Sequence, residues 1–238
     1  MKPATQNTCS NCREAATGTY CSNCGQELHV HRITLKHLLH EAAHELTHFD
    51  KGILYSLKQL VIRPGIMQRE YLAGKRKQHQ KPFALFFLCG TAAALALYWI
   101  NKATVMLHSS GDAEEGHFYQ HYFAILQMCL LPVYTLISRY IFNLVYNYAE
   151  YMVILAYNTS VLLLFVILAN SLKLIFGPFE TGYIEVVFVL LYNIVTYVNL
   201  FADRSKVVIS LKTILSSVLC FAVSRVAMEL FIKYVMGQ

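Results

Sequence analysis

The chain changes character abruptly at Pro82. The segment before it is strongly basic and contains Gly74-Lys75-Arg76-Lys77 and Lys81, whereas the 18 residues from 83 to 100 carry no charge. An apolar stretch of that length can cross a bilayer as a helix. Because basic residues beside the first span tend to stay on the cytoplasmic side, we expect the N-terminal part to be cytoplasmic and residues 83–238 to form a transmembrane domain.

The composition indicates a membrane protein rather than a soluble one. Of the 238 residues, 56% are hydrophobic and 14% are charged, whereas about one quarter of the residues in soluble domains are charged. The net charge is +6, and twelve of the twenty lysines and arginines lie in the first 81 residues. A basic segment is also typical of nucleic-acid binding. Four of these charges adjoin the first apolar stretch, however, so we interpret them as topology signals and expect no nucleic-acid partner.

Four cysteines define an N-terminal module, residues 1–31. Cys9, Cys12, Cys21 and Cys24 form two C-x-x-C pairs separated by eight residues. Four thiolates at such a spacing can close a tetrahedron around zinc, and a reducing cytoplasm favours metal over disulfides. Because so short a segment has no core of its own, the metal would supply most of its folding energy. The spacing therefore predicts a structural zinc ribbon, with zinc as the cofactor.

A redox role is the alternative interpretation of the C-x-x-C pairs. Redox sites of this kind usually lie in a βαβ context, which this segment lacks. A zinc site closed by four protein ligands has no open position for catalysis. The side chains between the ligands are mostly small and polar, and Arg13 is the only basic one. A docking or stabilising role therefore fits the module better than nucleic-acid binding or chemistry.

A histidine-rich segment follows the module. Apolar residues between Ile33 and Phe49 recur at helical spacing, and the opposite face carries His37, His40, His44 and His48. Pairs of histidines four residues apart can chelate zinc or copper. Three interpretations stay open: a solvated polar face, a second metal site, and a pH-responsive docking face.

Further amphipathic segments complete the region 32–82. Ile53–Ile62 and Ile66–Ala73 are predicted to be short helices separated by a turn at Pro64-Gly65. Such helices either lie in the membrane interface or pack beneath the membrane helices, and periodicity does not separate these alternatives. The cations that we expect to face anionic lipid headgroups are Lys75, Arg76, Lys77 and Lys81.

Several short motifs in this region carry a resemblance. They are C-x-x-C…Y-C-x-x-C-G-Q, His31-Arg-Ile-Thr, Phe49-Asp-Lys-Gly, Arg63-Pro-Gly and Arg69-Glu-Tyr-Leu-Ala-Gly-Lys-Arg. In this order, over about residues 9–82, they resemble an uncharacterised bacterial family of zinc-ribbon-headed multi-pass inner-membrane proteins. The similarity continues weakly in Asn147-Tyr-Ala-Glu, where Tyr151 replaces an expected His. The resemblance implies a cytoplasmic zinc-binding head and brings no established activity.

The C-terminal two thirds contain the membrane helices. We predict five spans, at about residues 83–100, 122–138, 151–172, 183–201 and 207–235. Five spans place the C-terminus in the periplasm of a bacterial inner membrane and leave few basic residues outside. In the alternative with four spans, the last stretch lies flat because Lys212, Arg225 and Glu229 interrupt it. The predicted fold is therefore an all-α membrane protein: a five-helix bundle with cytoplasmic amphipathic helices and a small zinc ribbon.

Charged residues inside the spans require partners, because polar groups in lipid are costly. The candidates are Glu150, Glu185, Arg225 and Glu229. Arg225 and Glu229 are four residues apart and can pair within one helix, and Glu185 is a further candidate partner for Arg225. Such residues either hold helices together or line a polar path for an ion or small solute.

These features favour a scaffold or regulatory protein of the inner membrane whose ribbon and amphipathic helices dock a cytoplasmic protein partner. The alternative is an oligomeric channel or transporter gated by the head, with a homo-oligomer as its expected state. The sequence contains no Gly-rich phosphate loop, G-x-S-x-G or H-E-x-x-H motif, so we expect no enzymatic activity.

Overall fold

The computed structural model describes residues 7–28, 32–36, 38, 52–108, 113–143 and 146–236. A two-stranded antiparallel sheet, β1 (Asn7–Thr8) and β2 (Ala15–Ala16), lies in the N-terminal module. The helices with bounds in these ranges are α1 (Ile53–Ile62), α2 (Ile66–Leu72), α3 (Pro82–His108), α4 (Ala113–Phe142), α5 (Tyr148–Ser171), α6 (Lys173–Phe176), α7 (Gly182–Leu200) and α8 (Lys206–Met236).

Five helices, α3, α4, α5, α7 and α8, are long and apolar enough to cross a membrane. This confirms the predicted all-α membrane class with a small cysteine module. The helices extend past the predicted spans: α3 runs to His108 and α4 begins at Ala113, whereas the first span was predicted to end at about residue 100 and the second to begin at about residue 122. Hydropathy marks only the segment that suits lipid, whereas backbone hydrogen bonding continues the helix into more polar sequence.

α8 runs along the bundle rather than across its end. The Ser216 hydroxyl lies 3.3 Å from the Ser138 hydroxyl of α4. Two turns further along α8, the Ser224 hydroxyl lies 2.6 Å from the Tyr134 hydroxyl of α4. Tyr134 comes one turn before Ser138 in α4, so the contacts run forward along α8 and backward along α4. The two helices are therefore antiparallel neighbours, which disfavours the alternative in which the last apolar stretch lies flat.

α5 is the central helix of the bundle. In the most apolar stretch of α5, 72% of the residues are buried. In the corresponding stretches of α7 and α8, the buried share is 17%. Its start is fixed by a reciprocal cap, because the Asn147 side chain accepts from the Glu150 N–H at 2.9 Å and the Glu150 carboxylate accepts from the Asn147 N–H at 2.7 Å. Such a cap satisfies N–H groups that a helix start would otherwise leave unpaired.

α3 packs on α5 along a row of residues spaced by one helical turn. Leu85, Cys89, Ala93 and Leu97 are all buried. Small side chains such as those of Cys89 and Ala93 let membrane helices approach closely, and dispersion contacts then hold them together. α7 also packs on α5: the ring of Phe165 in α5 stacks on the ring of Phe188 in α7, with centroids 3.6 Å apart.

α1 and α2 form a helical hairpin that packs against the membrane helices. The Tyr192 hydroxyl of α7 donates to the Leu60 carbonyl at 3.2 Å, and the Asn199 amide donates to the Pro64 carbonyl at 2.9 Å. We name residues 52–81, which comprise this hairpin and the basic loop after it, the collar. These segments were expected either to lie in the membrane interface or to pack beneath the membrane helices, and in the structure they pack on the bundle.

The turn of the hairpin requires glycine at position 65. Gly65 has a φ of +79°, in the left-handed region, and a Cβ there would overlap the Thr196 carbonyl oxygen and lie 2.8 Å from the Asn199 Cβ. Backbone atoms of α7 cannot move aside as a flexible side chain does. Residue 65 therefore sets how closely the collar approaches α7.

We predict that Gly65→Ala lowers the stability of the purified protein by about 2–4 kcal/mol, because it combines strained backbone with steric overlap. Thermal unfolding in detergent is the measurement. Gly182→Ala is the matched control, since a Cβ at that helical glycine meets nothing within 4 Å. Equal midpoints for the two variants would contradict the observed fit of the hairpin against α7.

Candidate metal centre and its junction with the membrane helices

Two similar turns present the four cysteines. In the first, the Arg13 N–H donates to the Cys9 carbonyl and the Cys9 N–H donates to the Glu14 carbonyl, both at 2.9 Å. In the second, the N–H groups of Gly25 and Cys21 make the equivalent bonds at 2.8 Å. Gly25 has a φ of +69°, and Arg13 holds the same left-handed position with a φ of +64°. Glycine adopts this conformation without strain, whereas Arg13 adopts it as a non-glycine residue.

The sulfur atoms of Cys9, Cys12, Cys21 and Cys24 all lie within 4.8 Å of one another. The Sγ–Sγ distances of the Cys9–Cys24 and Cys12–Cys21 pairs are both 3.6 Å. A tetrahedron with metal–sulfur bonds of about 2.3 Å has edges of about 3.8 Å. The four thiols are therefore placed as a tetrahedral metal ion requires, and these residues can hold one.

The protein surroundings act differently on two of the ligands. The side chain of Asn11 and the backbone at Gln26 hydrogen-bond to Cys24 and lower the pKa of its thiol to about 6. Although the backbone at Glu14 acts in the same sense on Cys12, desolvation and the neighbouring cysteine thiols raise the pKa of Cys12 to about 11. The four thiols therefore differ in how readily each one ionises before a metal supplies its own charge.

The cysteine module is bound to the collar. The Gln26 side chain is only 6% exposed, and its Oε1 accepts from the N–H groups of Arg76 and Lys77 at 3.3 and 2.9 Å. The Ser10 hydroxyl donates to the Gly74 carbonyl at 3.2 Å. Ser10 directly follows Cys9 and Gln26 lies two residues after Cys24, so assembly of the four-cysteine cluster positions the groups that bind the collar.

Two of the basic residues expected at lipid headgroups make contacts within the protein. Lys75 Nζ lies 3.1 Å from Oε2 of Glu70, whose other oxygen accepts from Arg63 at 2.9 Å. Arg76 donates to the Tyr71 carbonyl at 3.3 Å and lies over the Tyr71 ring. Of the other two expected residues, Lys77 is exposed and Lys81 is half-buried. Although burial opposes ionisation of Glu70, its hydrogen bonds with Lys75 and Arg63 lower its pKa.

A chain of buried amides joins the collar to two membrane helices. Gln68 of α2 is fully buried, and its Nε2 donates to Oδ1 of Asn158 in α5 at 2.7 Å. Asn158 in turn donates to Oδ1 of Asn193 in α7 at 2.9 Å. The Gln68 Oε1 accepts from the Gly65 N–H at 3.1 Å. No signal in the sequence identified Gln68 as the partner of an asparagine in a membrane helix.

Arg32 and Glu150 link the segment after the cysteine module to the start of α5. The guanidinium makes two hydrogen bonds to the carboxylate, at 2.9 and 3.0 Å. The Asn147 amide also donates to the Ile33 carbonyl at 3.0 Å. Two motifs separated by more than one hundred residues, His31-Arg-Ile-Thr and Asn147-Tyr-Ala-Glu, therefore meet at one place. Sequence reasoning singled out both motifs but did not pair them.

The remaining predicted polar residues lie elsewhere. Glu185 accepts from Thr181 and Asn170 at 2.8 and 3.0 Å, near the opposite end of α5 from Glu150. Arg225 and Glu229 are exposed on α8, and within the described part of the chain they form neither the predicted pair with each other nor one with Glu185. The four predicted histidines, His37, His40, His44 and His48, fall outside the described residues.

Another histidine, which sequence reasoning missed, lies inside the collar. His79 is 7% exposed and packs between the rings of Tyr55 and Tyr71. Among the described residues neither of its ring nitrogens has a hydrogen-bond partner. Burial, and secondarily the charge of Lys75, lower the pKa of His79 to about 4.

Comparison with known proteins gives one partial match. The sequence model of a family described as a protein of unknown function (DUF3667) matches residues 50–93. The matched segment holds the collar and the first turns of α3, including Gly65, Gln68 and the Glu70 ion pairs. No curated protein matches the chain, and no solved structure does.

We predict that acid destabilises the protein through His79. Its pKa is about 4 in the folded chain and about 6.5 when unfolded, so the unfolded chain binds the proton first as pH falls. Stability should therefore decline between pH 6.5 and 4, by about 2 kcal/mol at pH 5.0 relative to pH 7.5. Thermal unfolding of wild type and His79→Phe at both pH values measures this. The variant should lose that decline, whereas the exposed control His108→Phe should retain it; equal declines in all three proteins would contradict the assignment.

We predict that Arg32→Ala lowers the midpoint of thermal unfolding, because it leaves the buried Glu150 carboxylate without two of its donors. Lys36→Ala, which removes an exposed cation four residues away, should have no effect. Adding Glu150→Gln to Arg32→Ala should recover part of the loss, since the uncompensated charge is then absent. An additive double variant, measured by thermal unfolding in detergent, would show that the two side chains do not interact.

Proposed function

We propose that this protein is an inner-membrane scaffold whose zinc ribbon and collar form a docking platform for a cytoplasmic protein partner. The observation that carries the proposal is the continuous set of contacts from the cysteine module to the bundle. Gln26 binds the collar loop, and Gln68 binds Asn158, which binds Asn193. A small module fixed in this way presents a preorganised surface, so that a partner loses little binding energy to ordering it.

Zinc is the metal that we propose for the four cysteines. A closed tetrahedron of thiolates suits zinc, which has no redox chemistry and needs no open position for a structural role. When bound, the ion supplies cross-links that a module of this size lacks. The buried residues of the module are few, and Cys9, Ala16 and Cys21 form its small core.

The cytoplasmic side is proposed for the ribbon and collar because of the charge distribution. Seven of the twenty lysines and arginines lie in the collar, residues 52–81, and Arg204 and Lys206 lie at the junction of α7 and α8. Translocating this cluster would be opposed by the positive-inside bias. The exposed surface of the ribbon includes the aromatic ring of Tyr20, which is 63% exposed. Exposed tyrosines are frequent at protein interfaces, and this position is our proposed contact with the partner.

The scaffold accounts for the membrane part better than a channel does. Polar side chains within the bundle bind one another across helices, as in Asn158–Asn193 and Asn170–Glu185. Such pairs stabilise helix association. In the channel alternative, Glu185, Arg225 and Glu229 would line the permeation path, but Arg225 and Glu229 are exposed on α8. Ion flux into liposomes that contain the purified protein, abolished by Arg225→Ala, would reverse this preference.

We predict one zinc ion per chain in the purified protein, measured by elemental analysis. Cys12→Ser or Cys21→Ser should remove most of the zinc, because three thiolates hold it far more weakly than four. Cys129→Ser, which changes an exposed cysteine of α4, is the matched control and should leave zinc unchanged. Equimolar iron in place of zinc, or zinc that survives the ligand substitutions, would contradict the proposed centre.

The docking role is tested by site-specific photocross-linking in cells. A photoreactive residue at position 20 should give a defined adduct with a second, different protein, and the adduct should disappear in the Cys12→Ser background. The same residue at position 183, which is also an exposed tyrosine but lies at the opposite end of the bundle, should not give that adduct. An equally strong adduct in the zinc-free variant would show that the ribbon is not the docking surface.

A further inference from the structure

One long face of α8 is exposed. The buried residues of the helix, such as Ile209, Thr213 and Ser216, lie toward α4 and α7. On the opposite side, exposed residues alternate in steps of three and four. They are Val208, Leu211, Leu215, Val218, Ala222, Arg225 and Glu229, which we name the α8 seam. This is the heptad spacing with which one helix packs along another in a left-handed pair.

Exposed apolar residues need no explanation in a membrane, but the two charges of the α8 seam do. Ser224, next to Arg225, lies 2.6 Å from the Tyr134 hydroxyl. Tyr134 lies in α4 within residues 122–138, which carry no Asp, Glu, Lys or Arg and which we predict as the second span. Arg225 is therefore level with the hydrocarbon part of the bundle, and a charged side chain facing lipid there is costly.

The charges do not compensate each other within one chain. In the part of the chain that the structure describes, Arg225 and Glu229 have no ion-pair partner. They are four residues apart on one helix, but the basic residue precedes the acidic one, which is the less favourable order for such a pair. An occupant of the α8 seam must therefore offer both a carboxylate and a cation.

We propose that the occupant is a second copy of this chain, with α8 packed against α8 across a two-fold axis along the membrane normal. Both copies insert with the same orientation, so the two helices run parallel. Arg225 of each copy then reaches, one turn further along, Glu229 of the second copy. Two-fold symmetry makes both ion pairs at once, because each surface contains its own complement. The small Ala222 between Val218 and Arg225 allows the helices to approach closely.

Charge complementarity favours this occupant over a lipid. An anionic headgroup would neutralise Arg225 but leave the Glu229 carboxylate exposed to hydrocarbon and would add a like charge beside it. A paired copy neutralises both, and charge-assisted pairs of arginine and carboxylate are the strong ones in a dry environment. Pairing through the α8 seam requires neither the proposed docking function nor the metal.

The test uses two differently tagged full-length chains that are co-expressed, extracted in mild detergent and isolated through one tag. Wild-type chains should co-purify. Co-purification should fall by about tenfold or more when both chains carry Arg225→Glu, or both carry Glu229→Arg, because like charges then face each other. It should recover when one chain carries Arg225→Glu and the other Glu229→Arg, since every charge regains an opposite partner. Asp203→Lys, in the exposed loop before α8, is the control and should leave co-purification unchanged.

Recovery in the crossed pair also shows that each single variant inserts and folds. Three results overturn the proposal: wild-type chains that do not co-purify, co-purification that both single variants retain, and loss without recovery in the crossed pair. The last result would instead indicate a different membrane protein or a lipid on the α8 seam.

A second measurement leaves all charges intact. A photoreactive residue replacing Leu215, in the α8 seam, should give a covalent product of twice the chain mass in native membranes. The same residue replacing Leu191 of α7, which is also exposed at 59%, should not. Absence of the product at position 215, or equal yield at both positions, would contradict pairing through the α8 seam.

Discussion

A polar group buried away from water is costly unless it has a hydrogen-bond partner, and this constraint determines how the collar meets the membrane helices. Gln68 is fully buried, and its amide is satisfied by Asn158 and the Gly65 N–H. Removing α2 from its place would leave those partners unpaired at the same time. The collar is therefore part of the bundle rather than an independent surface helix pair, and the cysteine module that binds the collar is carried with it.

The same constraint explains which residues join distant segments. Glu150 caps α5 and accepts from Arg32, so the start of the central helix and the segment after the cysteine module are stabilised by one carboxylate. Phe142 stacks on Tyr197 with centroids 4.4 Å apart and closes the apolar cluster at that end of the bundle. The Arg32–Glu150 ion pair and the stacked rings of Phe142 and Tyr197 together determine the packing at the end of the bundle that adjoins the cysteine module.

Much of the fold was predictable because length and charge alone specify it. An uncharged run of 18 residues after Lys81 requires a helix, and the C-x-x-C spacing requires four thiols at one place. The packing of the collar was not predictable, because the periodicity of Ile53–Ile62 is the same whether the helix faces lipid or protein. The partners of Arg32 and Gln68 were hidden for a related reason: the sequence separation of two residues contains no information about tertiary contact. His79 was missed because a lone histidine in a basic loop gives no signal of burial.

The central claim is that the cysteine module and collar form one body with the membrane helices. Hydrogen–deuterium exchange of the full-length protein in detergent tests it at the N–H groups of Arg76 and Lys77, which donate to Gln26. These amides should exchange slowly in wild type and fast in Gln26→Ala, whereas the amides of α5 should exchange at the same rate in both proteins. Exchange at the rate of an unstructured chain in the wild-type protein would contradict it.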